Sequence, residues 1–213
     1  GGTIAGALLM GLKIIFADID PNTMTLSSIE VERMMKKYPE IKAVLDVDIY
    51  GTPSNSYEIS NILKNYNAYL ILDSASGFGC VSHFHPTGYY SDIVIHSFSE
   101  SKQVSVGEGA MLVTKDRDIY EKLLVKTCHP KRVMKDVSLA DQNQFSLNFR
   151  MHPYAAYLLY KGFYKSLKQI RSRRRKVLKL LTRINTQLGK EVIEIPNSGN
   201  ESSYNNIVVN CKN

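Results

Sequence analysis

Apolar and polar positions alternate between two periods along the first half of the chain. Residues 13–18 are a short run rich in bulky apolar side chains, stopped by Asp20, Pro21 and Asn22, and they predict a strand followed by a turn. Residues 27–38 change to helical spacing, with Ile29, Met34 and Met35 as apolar positions and Ser27 or Ser28 available as the cap. Residues 41–47 predict a second buried strand, closed by Tyr50, Gly51, Thr52 and Pro53. A helix over 57–66 and a strand over 68–72 follow, and Asp73 stands at the carboxyl end of that strand.

Two further strands are expected at 92–97 and 110–114, with a helix at 118–126. The alternation predicts an α/β fold in which a mostly parallel sheet carries helices on both faces. Ligands of such sheets gather at the carboxyl ends of the strands, where Asp73 and Ser97 both lie. Residues 154–188 hold helical apolar spacing with Gly162 as the one breaker, enough for one or two long helices, and Pro153 suits a first helical turn. Strand 191–195, polar loop 196–203 and strand 206–210 complete the reading.

The 213 residues suffice for one sizeable buried core, and 44% hydrophobic with 22% charged residues is ordinary for a globular chain. No apolar run is long enough for a bilayer, and residues 1–10 lack the basic start of a signal peptide, so a cytoplasmic location away from membranes is expected. Cys80, Cys128 and Cys211 are odd in number and widely spaced, which predicts reduced, structural thiols and no metal site. The net charge of +7 is concentrated at 161–179, above all at 171–176, where a solvated helix face is the expectation and nucleic acid binding is not.

Four local features carry candidate chemistry. Asp73 precedes the small residues Ser74, Ala75 and Ser76, which leaves room for a flat ligand; as a lone strand-end acid it equally suits a cap. Ser97, Ser99 and Ser101 lead to Lys102, so hydroxyl and backbone donors for an anion lie beside a lysine that desolvation or neighbouring charge would make nucleophilic, although most lysines are merely exposed. Gly107 and Gly109 permit close backbone approach or form a plain turn. Asn148 and Arg150 precede the long helix, as site residues or as anchors of its entry.

In order and spacing these features resemble the DegT/DnrJ/EryC1/StrS aminotransferases, fold-type-I pyridoxal-phosphate enzymes, over nearly the whole chain. The residues that carry the resemblance are Asp18-Ile-Asp-Pro21, Asp48-Ile-Tyr-Gly-Thr-Pro53, Asp73-Ser-Ala-Ser76, Ser97-Phe-Ser-Glu-Ser-Lys102 with Gly107-Glu-Gly109, and Asn148-Phe-Arg-Met151.

The resemblance implies that Lys102 is the catalytic lysine that binds the cofactor aldehyde, and that Asp73 pairs with the ring nitrogen. It implies that Ser97 binds the phosphate, that Ser76 stands where the family has Gln or His near the phenolic oxygen, and that Asn148 reaches the phosphate of a neighbouring subunit. Pyridoxal 5′-phosphate, a nucleotide-sugar substrate, an amino-acid donor and a homodimer are the implied cofactor and partners. It further implies a cofactor-binding large domain over 1–153, lacking its N-terminal part, and a long helical segment over 154–213 leading into a truncated small α+β domain. Asp48 replaces a usual His, and the presence of Lys102 argues against the family's dehydratase branch, which has His there.

Overall fold

The computed structural model describes residues 2–128, 147–188 and 200–208. Strands β1 (Ala43–Val47), β2 (Tyr69–Asp73), β3 (Val81–Ser82), β4 (His85–Pro86), β5 (Ile93–Ser97) and β6 (Ala110–Val113) are joined by helices α1 (Gly2–Leu9), α2 (Ser28–Lys37), α3 (Ser56–Leu63), α4 (Arg117–Thr127) and α5 (Pro153–Leu188). The main sheet runs β1-β2-β5-β6. β1, β2 and β5 are parallel and β6 is antiparallel to β5, so the sheet is mostly parallel. β3 and β4 make a small separate hairpin.

The register aligns the ends that matter. Val47 pairs with Asp73, and Asp73 pairs with Ile95, two residues before the end of β5. Asp48, Asp73 and Ser97 therefore emerge at one edge of the sheet. The crossover from β1 to β2 contains α3 and that from β2 to β5 contains the β3–β4 hairpin, each long enough to bring the chain back to the same end of the sheet.

Helix caps follow from the sequence. The Ser27 hydroxyl accepts from Glu30 N at 3.4 Å at the start of α2, and Asp116 accepts from Ile119 N at 2.9 Å at the start of α4. α2 turns Val31 and Met35 inward against Ile59 and Leu63 of α3 and Leu70 of β2, which makes the first core cluster. A second cluster joins Phe98 and Val104 to Ile170 of α5, with Phe78 and Met151 packed against it.

Three expectations are corrected. Residues 13–18 make no ladder, and the nearest pairing is a single bridge between Ile19 and Leu26. The composition of the run suits a strand, but a strand exists only through its neighbour, and among the described residues none pairs with it. Residues 206–208 are likewise not a strand; they follow the bridge that joins Glu201 to Val81. The basic run is not wholly a solvated face. Arg174 is turned inward, donating to Gly79 O at 2.6 Å and Ser202 O at 2.9 Å and pairing with Glu201.

Residues 154–188 form one helix, not two, and Gly162 does not interrupt it. Strand 191–195, the first part of the following loop and Cys211 lie outside the described residues. No helix among the described residues is long and apolar enough to cross a membrane.

Candidate functional site

Lys102, Ser76, Asp73 and Ser97 meet at the carboxyl edge of the sheet because β2 and β5 end there side by side. Lys102 lies in the turn after β5, with its backbone N–H donating to Ser99 O at 3.0 Å. Its Nζ reaches back to donate to Ser76 Oγ at 3.2 Å. Ser76 sits in the turn that follows β2, so the turns after two neighbouring strands are joined at the lysine.

Asp73, the last residue of β2, is half-buried. Its Oδ1 accepts from Ala75 N at 3.0 Å and its Oδ2 accepts from Thr3 Oγ1 at 2.7 Å. A carboxylate offers about four lone-pair directions, so Asp73 keeps acceptor capacity for a further N–H donor. The bond to Ala75 N is the turn-capping contact expected of a strand-end acid.

Ser97 Oγ donates to Ser99 Oγ at 3.2 Å and accepts from Ser99 N at 3.4 Å. The two hydroxyls and the Ser99 N–H lie together beside the lysine turn. Gly107 and Gly109, both at positive φ, bring the chain back to β6. Gly109 O accepts from Phe98 N at 2.8 Å, and a Cβ on Gly109 would lie 2.6 Å from Met151 Cε. Gly109 and the Asn148–Met151 motif thus meet through Met151. Asn148 is not brought into the cluster. It is exposed, and its Oδ1 accepts from Arg150 Nε at 3.2 Å.

Several site residues are not legible as such in the sequence. Thr3 is one, since α1 contains Gly2 and Gly6 and buries none of its residues. Gln103 and Ser203 are others. Gln103 Nε2 donates to Ser203 O at 2.8 Å and to its Oγ at 3.0 Å, and Ser203 Oγ is 3.1 Å from Ser76 O. Ser203 N also donates to Gly51 O at 2.8 Å. Residues 201–206 therefore cross the site edge, held by the residue next to Lys102. The crossing depends on Gly51: its φ is +82°, and a Cβ there would lie 2.4 Å from Ser203 Oγ.

Titratable groups surround this edge. Burial pushes the Asp48 carboxyl up to about 6 and the Asp46 carboxyl up to about 7. Burial holds His96, whose Nδ1 is 3.4 Å from Ser74 O, below its ordinary value. Cys80 is buried and its thiol is pushed up to about 12, so it is an inert packing residue that donates to Gly51 O. Among the described residues no group of His, Cys, Asp and Glu is arranged to hold a metal ion.

The profile of the DegT/DnrJ/EryC1/StrS aminotransferase family matches residues 2–213. GDP-perosamine synthase of Escherichia coli O157:H7 is 32% identical over 114 residues, 54% of this chain and 31% of that protein. The UDP-4-amino-4,6-dideoxy-N-acetyl-beta-L-altrosamine transaminase of Campylobacter jejuni subsp. jejuni serotype O:2 is 29% identical over 157 residues, 73% of this chain and 41% of that protein.

Among solved structures, a DegT DnrJ EryC1 StrS aminotransferase from Brucella abortus superposes with a TM-score of 0.82 at 21% identity, covering 97% of this chain and 55% of that one. E. coli GDP-4-keto-6-deoxy-D-mannose-3-dehydratase with bound hydrated PLP gives 0.79 at 23% identity, covering 98% and 56%. At those identities the superpositions establish the shared fold. The chain spans about half the length of these solved relatives and less than half of the curated ones.

Proposed function

Because the chain belongs to the DegT/DnrJ/EryC1/StrS aminotransferase family, we propose that it supplies the cofactor-holding part of a pyridoxal-phosphate aminotransferase that aminates a nucleotide-linked keto-sugar. The observation that carries this reading is the 3.2 Å approach of Lys102 Nζ to Ser76 Oγ, one turn away from the Asp73 carboxylate. An amine, a carboxylate with spare acceptor capacity and a pair of serine hydroxyls fit an aromatic aldehyde that carries a ring nitrogen and a phosphate. When bound, pyridoxal phosphate supplies an aldehyde for amines and a ring that withdraws electrons from a neighbouring carbon.

The residues have separate tasks. Lys102 Nζ would hold the aldehyde, and with an amino donor such as glutamate in the site its free amine would be the group placed to accept and return a proton. Asp73 keeps a proton on the ring nitrogen, since a carboxylate beside a cationic N–H favours the charged form. The hydroxyls of Ser97 and Ser99 and the Ser99 N–H receive phosphate oxygens. Ser76 orients the lysine amine. Asn148, exposed on the approach to α5, is assigned to the phosphate of a second copy in a homodimer. The relatives named as a synthase and a transaminase of nucleotide-linked amino sugars support the substrate class.

The test is spectroscopic. Pyridoxal phosphate added to the purified protein is expected to give an absorbance band at the edge of the visible and a borohydride-reducible adduct. Lys102→Ala is expected to lose both. An adduct of the same yield in Lys102→Ala would remove the lysine from this role.

A further inference from the structure

Asp48, the residue immediately after β1, has a side chain with no exposed surface. Its backbone N–H donates to Asp73 O at 3.0 Å. Its Oδ1 accepts from Ser54 N at 2.9 Å, and its Oδ2 accepts from Ser74 Oγ at 2.7 Å and from Thr87 Oγ1 at 2.5 Å. Gly77 lies so close that a Cβ there would fall 2.3 Å from Oδ2. One carboxylate thus holds Ser54, Thr87 and the first residue of the turn from Ser74 to Gly77, whose last residue packs against it and donates its N–H to Ser74 O at 3.1 Å. That turn begins beside Asp73 and contains Ser76.

We infer that Asp48 is a positioning residue of the site: its ionised carboxylate clasps the 74–77 turn and so sets Asp73 and Ser76 against Lys102. The inference rests on reading Lys102, Asp73 and Ser76 as the cofactor site. It deepens that reading by making the site responsive to mild acid.

An ionised carboxylate only accepts, and all three groups that converge on Asp48 are donors. Two of them share Oδ2. A proton on that oxygen converts it to a donor, and at least one hydroxyl must turn away. Burial brings this event into reach, because it raises the carboxyl from its ordinary range to about 6.

The facing groups do not oppose it. Asp46 on β1 and Asp73 on β2 are acids, and negative charge on Asp73 raises Asp48 further. Cys80, beyond Gly77, has its thiol at about 12 and stays protonated. His96 on β5, across Ser74 O, is held below its ordinary value by burial and stays neutral near pH 7. No cation in this set keeps Asp48 charged.

The experiment reads the turn itself. Amide hydrogen exchange of Ala75 and Gly77 is measured at pH 5 and pH 7.5 in wild type and in Asp48→Asn, without cofactor and corrected for intrinsic rates. Asn keeps the size and does not titrate, but its NH2 donates where a carboxylate oxygen accepts, so it stands for the protonated form at every pH. The bonds from Thr87, Ser74 and Ser54 hold the buried carboxyl down, so a carboxyl released from them but still buried takes a proton more tightly and acid favours the released turn. Wild-type protection is therefore expected to fall severalfold at pH 5 while the Asn variant stays level. Equal wild-type protection at both pH values overturns the inference.

Thr87→Val provides a second arm. Loss of one donor to the anion is expected to move the wild-type midpoint to higher pH, and an unmoved midpoint counts against the clasp. Pyridoxal phosphate affinity, measured over the same range, is expected to weaken with the turn in wild type and to lose that limb in Asp48→Asn. Matching affinity profiles in the two proteins overturn the positioning role. If the turn titrates as expected while pyridoxal phosphate binds neither protein at any pH, the clasp stands and the cofactor reading fails.

Discussion

Lys102 Nζ donates to Ser76 Oγ at 3.2 Å, joining the turns that follow two adjacent parallel strands. Ser76 is a short side chain at a place where longer ones are usual in the resemblance, yet its hydroxyl meets the lysine directly. Ser76→Ala removes one acceptor from an ammonium and leaves Ser76 O to Ser203. Hydrogen bonds to charged groups contribute about 1.5–3 kcal/mol. Losing this one from the folded protein is expected to lower the melting temperature by a few degrees, and a lysine amine no longer oriented for the aldehyde is expected to bind pyridoxal phosphate at least about tenfold more weakly. A spectroscopic titration beside a thermal melt checks both, and an unchanged affinity would detach Ser76 from the site.

Asp73→Asn tests the charge separately from the geometry. The amide keeps an acceptor for Ala75 N and a group of the same size facing Thr3, but it cannot hold a cationic N–H by charge. Cofactor affinity is expected to fall roughly ten- to a hundredfold, the range of a charge-assisted hydrogen bond. Thr3→Val, which removes only the neighbouring donor, should cost less than Asp73→Asn. The order of the two losses is the measurement: a larger loss in Thr3→Val would make Asp73 a structural cap.

The strand-end residues were legible because the signal is local. Asp73 ends β2 and Ser97 ends β5, and a run of apolar residues stopped by a polar one shows this without knowledge of the fold. The meeting of Lys102 with Ser76 is inferable once both follow neighbouring strands. What the pattern does not contain is pairing. Residues 13–18 have strand composition and no ladder, and Ala110–Val113 is antiparallel to its neighbour although nothing in those four residues distinguishes the direction. Thr3 and Ser203 reach the site across long chain separations, and neither lies in a segment with periodicity. The exposed basic run concealed Arg174, whose partners Gly79 and Glu201 are supplied by the tertiary fold.

Gly51 is the hinge on which the 201–206 crossing depends. Its φ of +82° favours glycine, and a Cβ would meet Ser203 Oγ at 2.4 Å and Asn205 N at 2.8 Å. Gly51→Ala is expected to destabilise the protein by at least about 1–2 kcal/mol from the backbone alone. The added collision should also release Ser203 from Ser76 O. Ser203→Ala in the same chain removes the nearest atom but not Asn205 N, so partial recovery of the melting temperature is expected. Full recovery would show that backbone strain at Gly51 contributes nothing.

Asp46 sets a pH dependence of stability with an unusual sign. Its side chain is buried, Oδ1 accepts from Val47 N at 2.8 Å, and Oδ2 has no hydrogen-bond partner. Desolvation is the largest cause that raises its carboxyl to about 7, and the nearby Asp48 charge adds to it. The folded state therefore holds a proton more tightly than the unfolded chain, where an aspartate titrates near 4. Between those values the native protein binds more protons, so this group makes stability rise as pH falls from about 7 to about 4. Paired surface carboxylates act in the opposite direction. The contribution is about 4 kcal/mol at most, since each tenfold gain in proton affinity on folding is worth roughly 1.4 kcal/mol. Asp46→Asn removes the titration, so urea unfolding at pH 5 and pH 8 should show a smaller gain on acidification than wild type. Identical gains in the two proteins would mean that Asp46 ionises in the folded state as easily as in water.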